Sequence, residues 1–224
     1  MVRSLAAAML CVLLLPSAWQ PHDPALLTGM VPVKMADGHV LSVSPTEVTV
    51  ADWMRCVEDR GCTHGVKTPP TTPSQPVTGV NWFDVNEFLA WASARSGANL
   101  RLPTQDEWRW LNRSLEKPKA PPLFTDPRLA WAANYGRESN TGGPVKPSRS
   151  FSTTPDGIAD LDGNVWEWTS SCAVAGLGPA DCPAYVVEGE HEAVISIFIR
   201  NPANGGCATG TPPTYVGFRL VTDE

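Results

Sequence analysis

The stretch DLDGNVWEWTSSC, Asp160 to Cys172, sets two aspartates, a Gly-Asn pair and two tryptophans side by side. An ordinary strand would not place Gly163 and Asn164 between its acids and its aromatics. The segment reads either as an oxygen-rich turn able to wrap a hard cation or as a metal-free turn. In the second case Asp162 and Asn164 bond their own backbone. Trp166 and Trp168 alternate with Glu167, which places both indoles where they can pack the loop down.

Three helices are expected upstream. TVADWMRCV opens on Thr49 with Asp52 three residues on, a capping-box spacing, and carries Val50, Trp53 and Val57 on one face. NWFDVNEFLAWASARSG starts at Asn81, repeats Val85, Phe88, Leu89 and Ala92 at helical spacing, and stops at Gly97. LPTQDEWRWLNRS pairs Thr104 with Glu107 in another capping box and turns Trp108 and Leu111 inward. Helical periodicity vanishes after Asn112, and short strands follow in YVVEG, AVISIFI and VGFRLV. Early helices and late, irregular β-structure read as α+β.

The amino terminus, MVRSLAAAMLCVLLLPSA, has the layout of a secretory signal peptide, residues 1–18. Its apolar run is too short to cross a bilayer. No second long apolar segment follows, so no membrane span is expected after signal removal. The net charge is -6 and becomes -7 once Arg3 leaves, with no Lys/Arg cluster, which argues against nucleic-acid binding. About 200 residues remain, enough for one domain with a real core. The 22 prolines, 18 glycines and nine tryptophans predict a loop-rich fold with aromatic anchors.

Five cysteines survive signal removal. In an oxidising compartment, Cys56 with Cys62 and Cys172 with Cys182 are the close pairs expected to join, although spacing alone does not fix connectivity. Cys207 is left over, as a reactive thiol or, more simply, an inert one.

EVTVADWMRCV, PVTGVNWFDVNEFLAWASARSG, LRLPTQDEW, DGIADLDGNVWEW and VGFRLV together resemble, in the same order, the formylglycine-generating enzymes, or sulfatase-modifying-factor family. The resemblance runs from about Val31 to Val221, and the domain is placed at 24–224. It implies a C-type-lectin-like variant of the formylglycine-generating enzyme fold, with little regular secondary structure and bound calcium. It also implies the ligands of that calcium: the side chains of Asp160 and Glu167 and the carbonyls of Gly163 and Val165. A second family site would use Asn134 and Tyr135, with Glu138 or Asn140 standing where an acid is missing.

Here the sequence departs from the family. Authentic members bind copper through two cysteines, and those positions fall on Val194 and Ile199. Neither side chain offers a lone pair, so copper is not expected. Glu188, Glu190 and His191 cluster where the family keeps its groove and are candidates for acid–base chemistry, with Cys207 nearby; the plainer reading is a wet strand face. His22, His39, His64 and His191 are too scattered for a three-histidine metal centre. The expected function is a periplasmic or secreted, non-catalytic accessory or binding protein with a protein or peptide partner. The alternative is a divergent oxidoreductase acting on a peptide or protein.

Overall fold

The structure, a computed structural model, describes residues 23–27, 29–64, 72–115, 144–178, 180–189, 193–196 and 216–224. The signal segment, Asn134, Tyr135, Glu138, Asn140, Glu190, His191, Ile199 and Cys207 lie outside them, as does the side chain of Val194.

All three expected helices form where their caps stand. Helix α1 spans Val50–Glu58, α2 Trp82–Ser96 and α3 Gln105–Asn112. At each start the cap side chain accepts the amide three residues on, and an acid at that position answers the cap's own amide. These are Thr49 with Asp52, Asn81 with Asp84, and Thr104 with Glu107. Helix α2 ends at Gly97, whose φ of 73° is the left-handed conformation a glycine adopts without strain.

The β-structure forms two sheets. Strands β1 (Val31–Lys34) and β2 (Val40–Val43) make an antiparallel pair, and β2 also pairs with β7 (Val221–Asp223). The second sheet runs β5 (Ala193–Ser196), β4 (Ala184–Glu188), β3 (Trp166–Cys172), β6 (Val216–Gly217). The motif VGFRLV therefore does not make the single strand expected of it. It divides between the sheets, leaving Phe218–Leu220 as a crossing segment. The cause is a second set of partners: the amide of Val48 donates to the Phe218 carbonyl at 2.8 Å, and that of Ser44 to Leu220 at 2.8 Å. The chain between Ser44 and Val48 runs alongside that crossing and satisfies it.

Aromatic residues fill the larger core. Trp53 stacks on Phe88 with centroids 5.6 Å apart, and Phe218 meets Phe88 edge-on at 5.4 Å. A smaller core joins Trp108, Leu111, Ile158 and Leu161 to β2 and β7. Both expected disulfides are present. Cys56–Cys62 closes the end of α1, and Cys172–Cys182 closes the loop between β3 and β4.

Candidate functional site

The loop at Asp160 lies between the two cores, and its turn is built from strained positions. Asp160 and Asn164 both have left-handed backbones, φ 66° and 70°, which short polar side chains tolerate best. Gly163 sits beneath the Phe151 ring, where a Cβ would stand 2.4 Å from the ring edge, so a larger residue would have to push that exposed ring aside. Asp160 is fully buried and accepts the amides of Arg149 and of Phe151, the latter at 2.8 Å. Asp162 takes the amide of Ser152 at 3.1 Å and its hydroxyl at 2.7 Å. Asn164 exchanges two bonds with the backbone of Lys146, at 2.9 and 3.2 Å. The side chains of Asp160, Asp162 and Asn164 thus bind segment 146–152, while the turn's own backbone closes through the Gly163 amide on the Asp160 carbonyl at 3.2 Å and the Val165 amide on the Gly163 carbonyl at 3.0 Å.

Glu167 is also fully buried, one strand position beyond Trp166. Its carboxylate meets the Arg219 guanidinium through two bonds of 2.6 Å and accepts the Trp108 indole N–H at 2.9 Å. Arg219 is itself wholly buried, and its Nη2 donates to the Ala159 carbonyl at 3.1 Å. Burial works against the charged guanidinium, but Glu167 and the neighbouring acids hold its pKa above the ordinary arginine value.

Glu47 is the residue that the sequence reading missed. It is 1 % exposed, and neither carboxylate oxygen has a hydrogen-bond partner. Burial is the main reason its pKa is pushed up to about 8; Glu167 and Asp160 push the same way, against Arg219 and its own amide. In the sequence it stands in SPTEVTV, where an acid before a helix looks like an ordinary loop residue. Its segment is strapped to the loop, since the Ala159 amide donates to the Pro45 carbonyl at 2.8 Å.

A calcium ion takes six to eight oxygen ligands. An orphaned, buried carboxylate beside Asp160 and Glu167 fits a cation at this place, and no metal ligand other than oxygen is needed. Among the described residues, the one set of three acid, histidine or cysteine side chains with ligand atoms all within 4.8 Å is His39, Glu107 and Asp223. Glu47, Asp160 and Glu167 therefore do not all close to that distance.

The His39 set lines an open cavity of about 550 Å³ together with Val40 and Glu224. Arg101 already bridges its acids, donating to Glu107 at 2.7 and 2.8 Å and to Asp223 at 2.8 and 3.2 Å.

Glu188, the groove candidate that is described, lies neither on a wet face nor in an open pocket. It is 5 % exposed and accepts Gln105 Nε2 at 2.7 Å and Arg109 Nε at 2.8 Å, which ties the end of β4 to α3. Position 188 faces an α-helix that brings a cation and an amide, and a strand pattern alone does not reveal that neighbour.

Residues 23–224 match the family model of the sulfatase-modifying factor enzyme 1-like domain. The chain is 35% identical over 104 residues to the inactive C-alpha-formylglycine-generating enzyme 2 of Bos taurus, covering 43% of this chain and 33% of that one. It is 25% identical over 184 residues to the hercynine oxygenase of Mycolicibacterium thermoresistibile, covering 66% and 40%. With the formylglycine-generating enzyme of Thermomonospora curvata it shares 27% identity over 124 residues, covering 50% and 38%. The matches thus span 33% to 40% of the length of these relatives. In fold the chain is similar to PvdO from Pseudomonas aeruginosa, with a TM-score of 0.59 at 18% identity, covering 83% of this chain and 81% of that one. It is likewise similar to Treponema denticola variable protein 1, with a TM-score of 0.55 at 18% identity over 87% and 95%. Matched over all its described elements, the chain belongs to the sulfatase-modifying-factor family, the group of the formylglycine-generating enzymes.

Proposed function

We propose that this chain is an exported, non-catalytic accessory or binding protein that keeps a calcium loop on a C-type-lectin-like variant of the family fold. Its signal peptide would be residues 1–18 and its domain 24–224. The observation that carries the reading is Glu188: its buried carboxylate is engaged by Arg109 and Gln105, which ties it to structure rather than to a reacting group. The aliphatic Val194 and Ile199 at the family's cysteine positions agree with it. So does the similarity to a relative named inactive. Export is supported by the two disulfides. No helix among the described residues is long and apolar enough to cross a membrane.

The likeness to hercynine oxygenase over 66% of the chain favours the second reading, a divergent oxidoreductase acting on a peptide or protein. One experiment separates the two. The exported protein is incubated with oxygen and a cysteine peptide bearing a sulfatase motif, with copper(I) and iron(II) supplied in separate reactions. The expected result is no oxygen uptake above the metal-only control and no peptide mass change. Conversion of the cysteine to formylglycine, seen by mass as exchange of the CH2SH side chain for an aldehyde, would overturn the non-catalytic reading. Turnover that survives Cys207→Ser would also place the chemistry away from every cysteine outside the two disulfides.

A further inference from the structure

We propose that His39, Glu107 and Asp223 form a binding site for a borderline divalent cation of the zinc class, beside the smaller core and apart from the Asp160–Glu167 loop. The site is independent of both readings of the function given above and takes nothing from the calcium loop.

The fold brings the three residues together from distant parts of the chain. MADGH, residues 35–39, is the turn between β1 and β2. Gly38 takes a φ of 95° there, and the Met35 amide donates to the His39 carbonyl at 2.9 Å, which sets His39 just ahead of β2. Asp223 ends β7, and its register against β2 places it opposite Leu41. Glu107 is the third residue of α3, held by the capping box. The ligand atoms of all three lie within 4.8 Å of one another. Two ligands of one tetrahedral zinc stand about 3.4 Å apart, so small rotations of the half-exposed His39 and Asp223 side chains close the set.

Three further features suit a metal better than a plain ion-pair cluster. The first is the outer partner of the histidine. Asp37 Oδ1 meets His39 Nδ1 at 2.5 Å and accepts the His39 amide at 3.1 Å. A carboxylate on Nδ1 orients the ring, keeps the proton on that nitrogen and leaves the Nε2 lone pair to an ion, as proteins commonly fix a metal-binding imidazole. The second is Arg101, which holds two like-charged carboxylates together. Glu107 Oε1 and both Asp223 oxygens each take a single bond from it, so each keeps a lone pair for an ion. The third is the open cavity of about 550 Å³ that the three residues line, which gives an ion its way in and leaves its outer positions to water. An imidazole among carboxylates suits zinc, cobalt or nickel, whereas calcium takes oxygen alone.

The test uses the full mature chain carrying Cys207→Ser, so that no free thiol competes for the ion, with calcium present to fill any oxygen-only site. Zinc is titrated in by calorimetry, and the loaded protein is read by X-ray absorption. The expected result is one zinc per chain, with one imidazole nitrogen and oxygens at about 2.0–2.2 Å and no sulfur. His39→Ala and Asp223→Asn should each weaken zinc binding about tenfold or more, and Asp37→Ala, which removes only the outer partner of the ring, about tenfold. His39 and Asp37 lie in an exposed turn, so their replacement should leave the melting temperature within about 2 °C of the parent. A chain that takes up no zinc at about 1 mM would overturn the site and leave these residues as a rim ion-pair cluster. Zinc affinity unchanged in His39→Ala, or two imidazoles on the bound zinc, would overturn it as well, by placing the ion at other histidines. Affinity lost in His39→Ala but kept in Asp37→Ala would uphold the site and remove Asp37 from it.

Discussion

Arg219 and Arg101 each grip a glutamate through a bidentate contact, yet one centre has no exposure and the other stands at the rim. Arg219 and Glu167 are both 0% exposed, whereas the Arg101 side chain is 28% exposed, Glu107 12% and Asp223 57%. At the buried centre every bond replaces solvation that cannot be recovered. At the rim, water and salt compete with each contact. The same chemistry therefore carries different energetic weight. A buried pair is costly to break even where its net contribution to folding is small.

Breaking the buried half should have the largest effect. Arg219→Ala leaves Glu167 charged in the core and the Ala159 carbonyl without its donor, which should cost about 3–5 kcal/mol. Against a typical total of about 5–15 kcal/mol, that variant should stand close to unfolding. Arg219→Lys keeps the charge but loses the fork and should fall between the two. Denaturant midpoints measure both, and an Arg219→Ala variant within about 1 kcal/mol of wild type would show that Glu167 finds another partner.

The next effect is covalent. Cys172–Cys182 ties down the far end of the strand that carries Glu167, with ten residues of sequence separation. Replacing both cysteines with alanine should cost about 2–3 kcal/mol on a loop-closure estimate. Peptide mapping without reductant should recover this bridge and Cys56–Cys62 intact, and free thiols at either pair in exported protein would contradict both.

Much of the fold was legible because its signals are local. Thr49, Asn81 and Thr104 each cap a helix with an acid three residues on, and Gly97 ends one; spacing along the chain is all that these features need. The β1–β2 pair escaped notice because VPVK and VLSV are only four residues each. VGFRLV looked like one strand because nothing in it shows that Phe218 and Leu220 would be claimed by Val48 and Ser44. The site divided in the same way. Asp160, Gly163 and Glu167 are singled out by the family resemblance of their motif, while Glu47 lies 113 to 120 positions away from Asp160 and Glu167 and gains its meaning only from what surrounds it. Arg219 was not singled out in VGFRLV either, because its partner Glu167 lies in another strand.

The smallest effect belongs to the rim and should depend on pH. Burial alone would raise the pKa of Glu107, but the Arg101 guanidinium and the Thr104 amide outweigh it and hold the carboxyl below its ordinary value of 4.5. Asp223 is likewise held below 3.8, chiefly by Arg101. A carboxylate whose folded pKa is depressed stabilises the fold above its unfolded value and loses that contribution as pH falls through the folded one. Stability from this centre should therefore be complete at pH 6 and decline below 4.5. Glu107→Gln isolates the charge, because glutamine can still answer the Thr104 amide in the capping box. At pH 6 and low salt the variant should be less stable by about 1 kcal/mol, or about 2–4 °C in melting temperature. The gap should narrow in molar salt and close as pH drops below 4.5, where wild-type Glu107 takes up a proton and comes to resemble glutamine. A gap that stays constant from pH 6 to pH 3 would mean that the rim is held by hydrogen-bond shape rather than charge, and the contrast with Arg219 would then be one of packing.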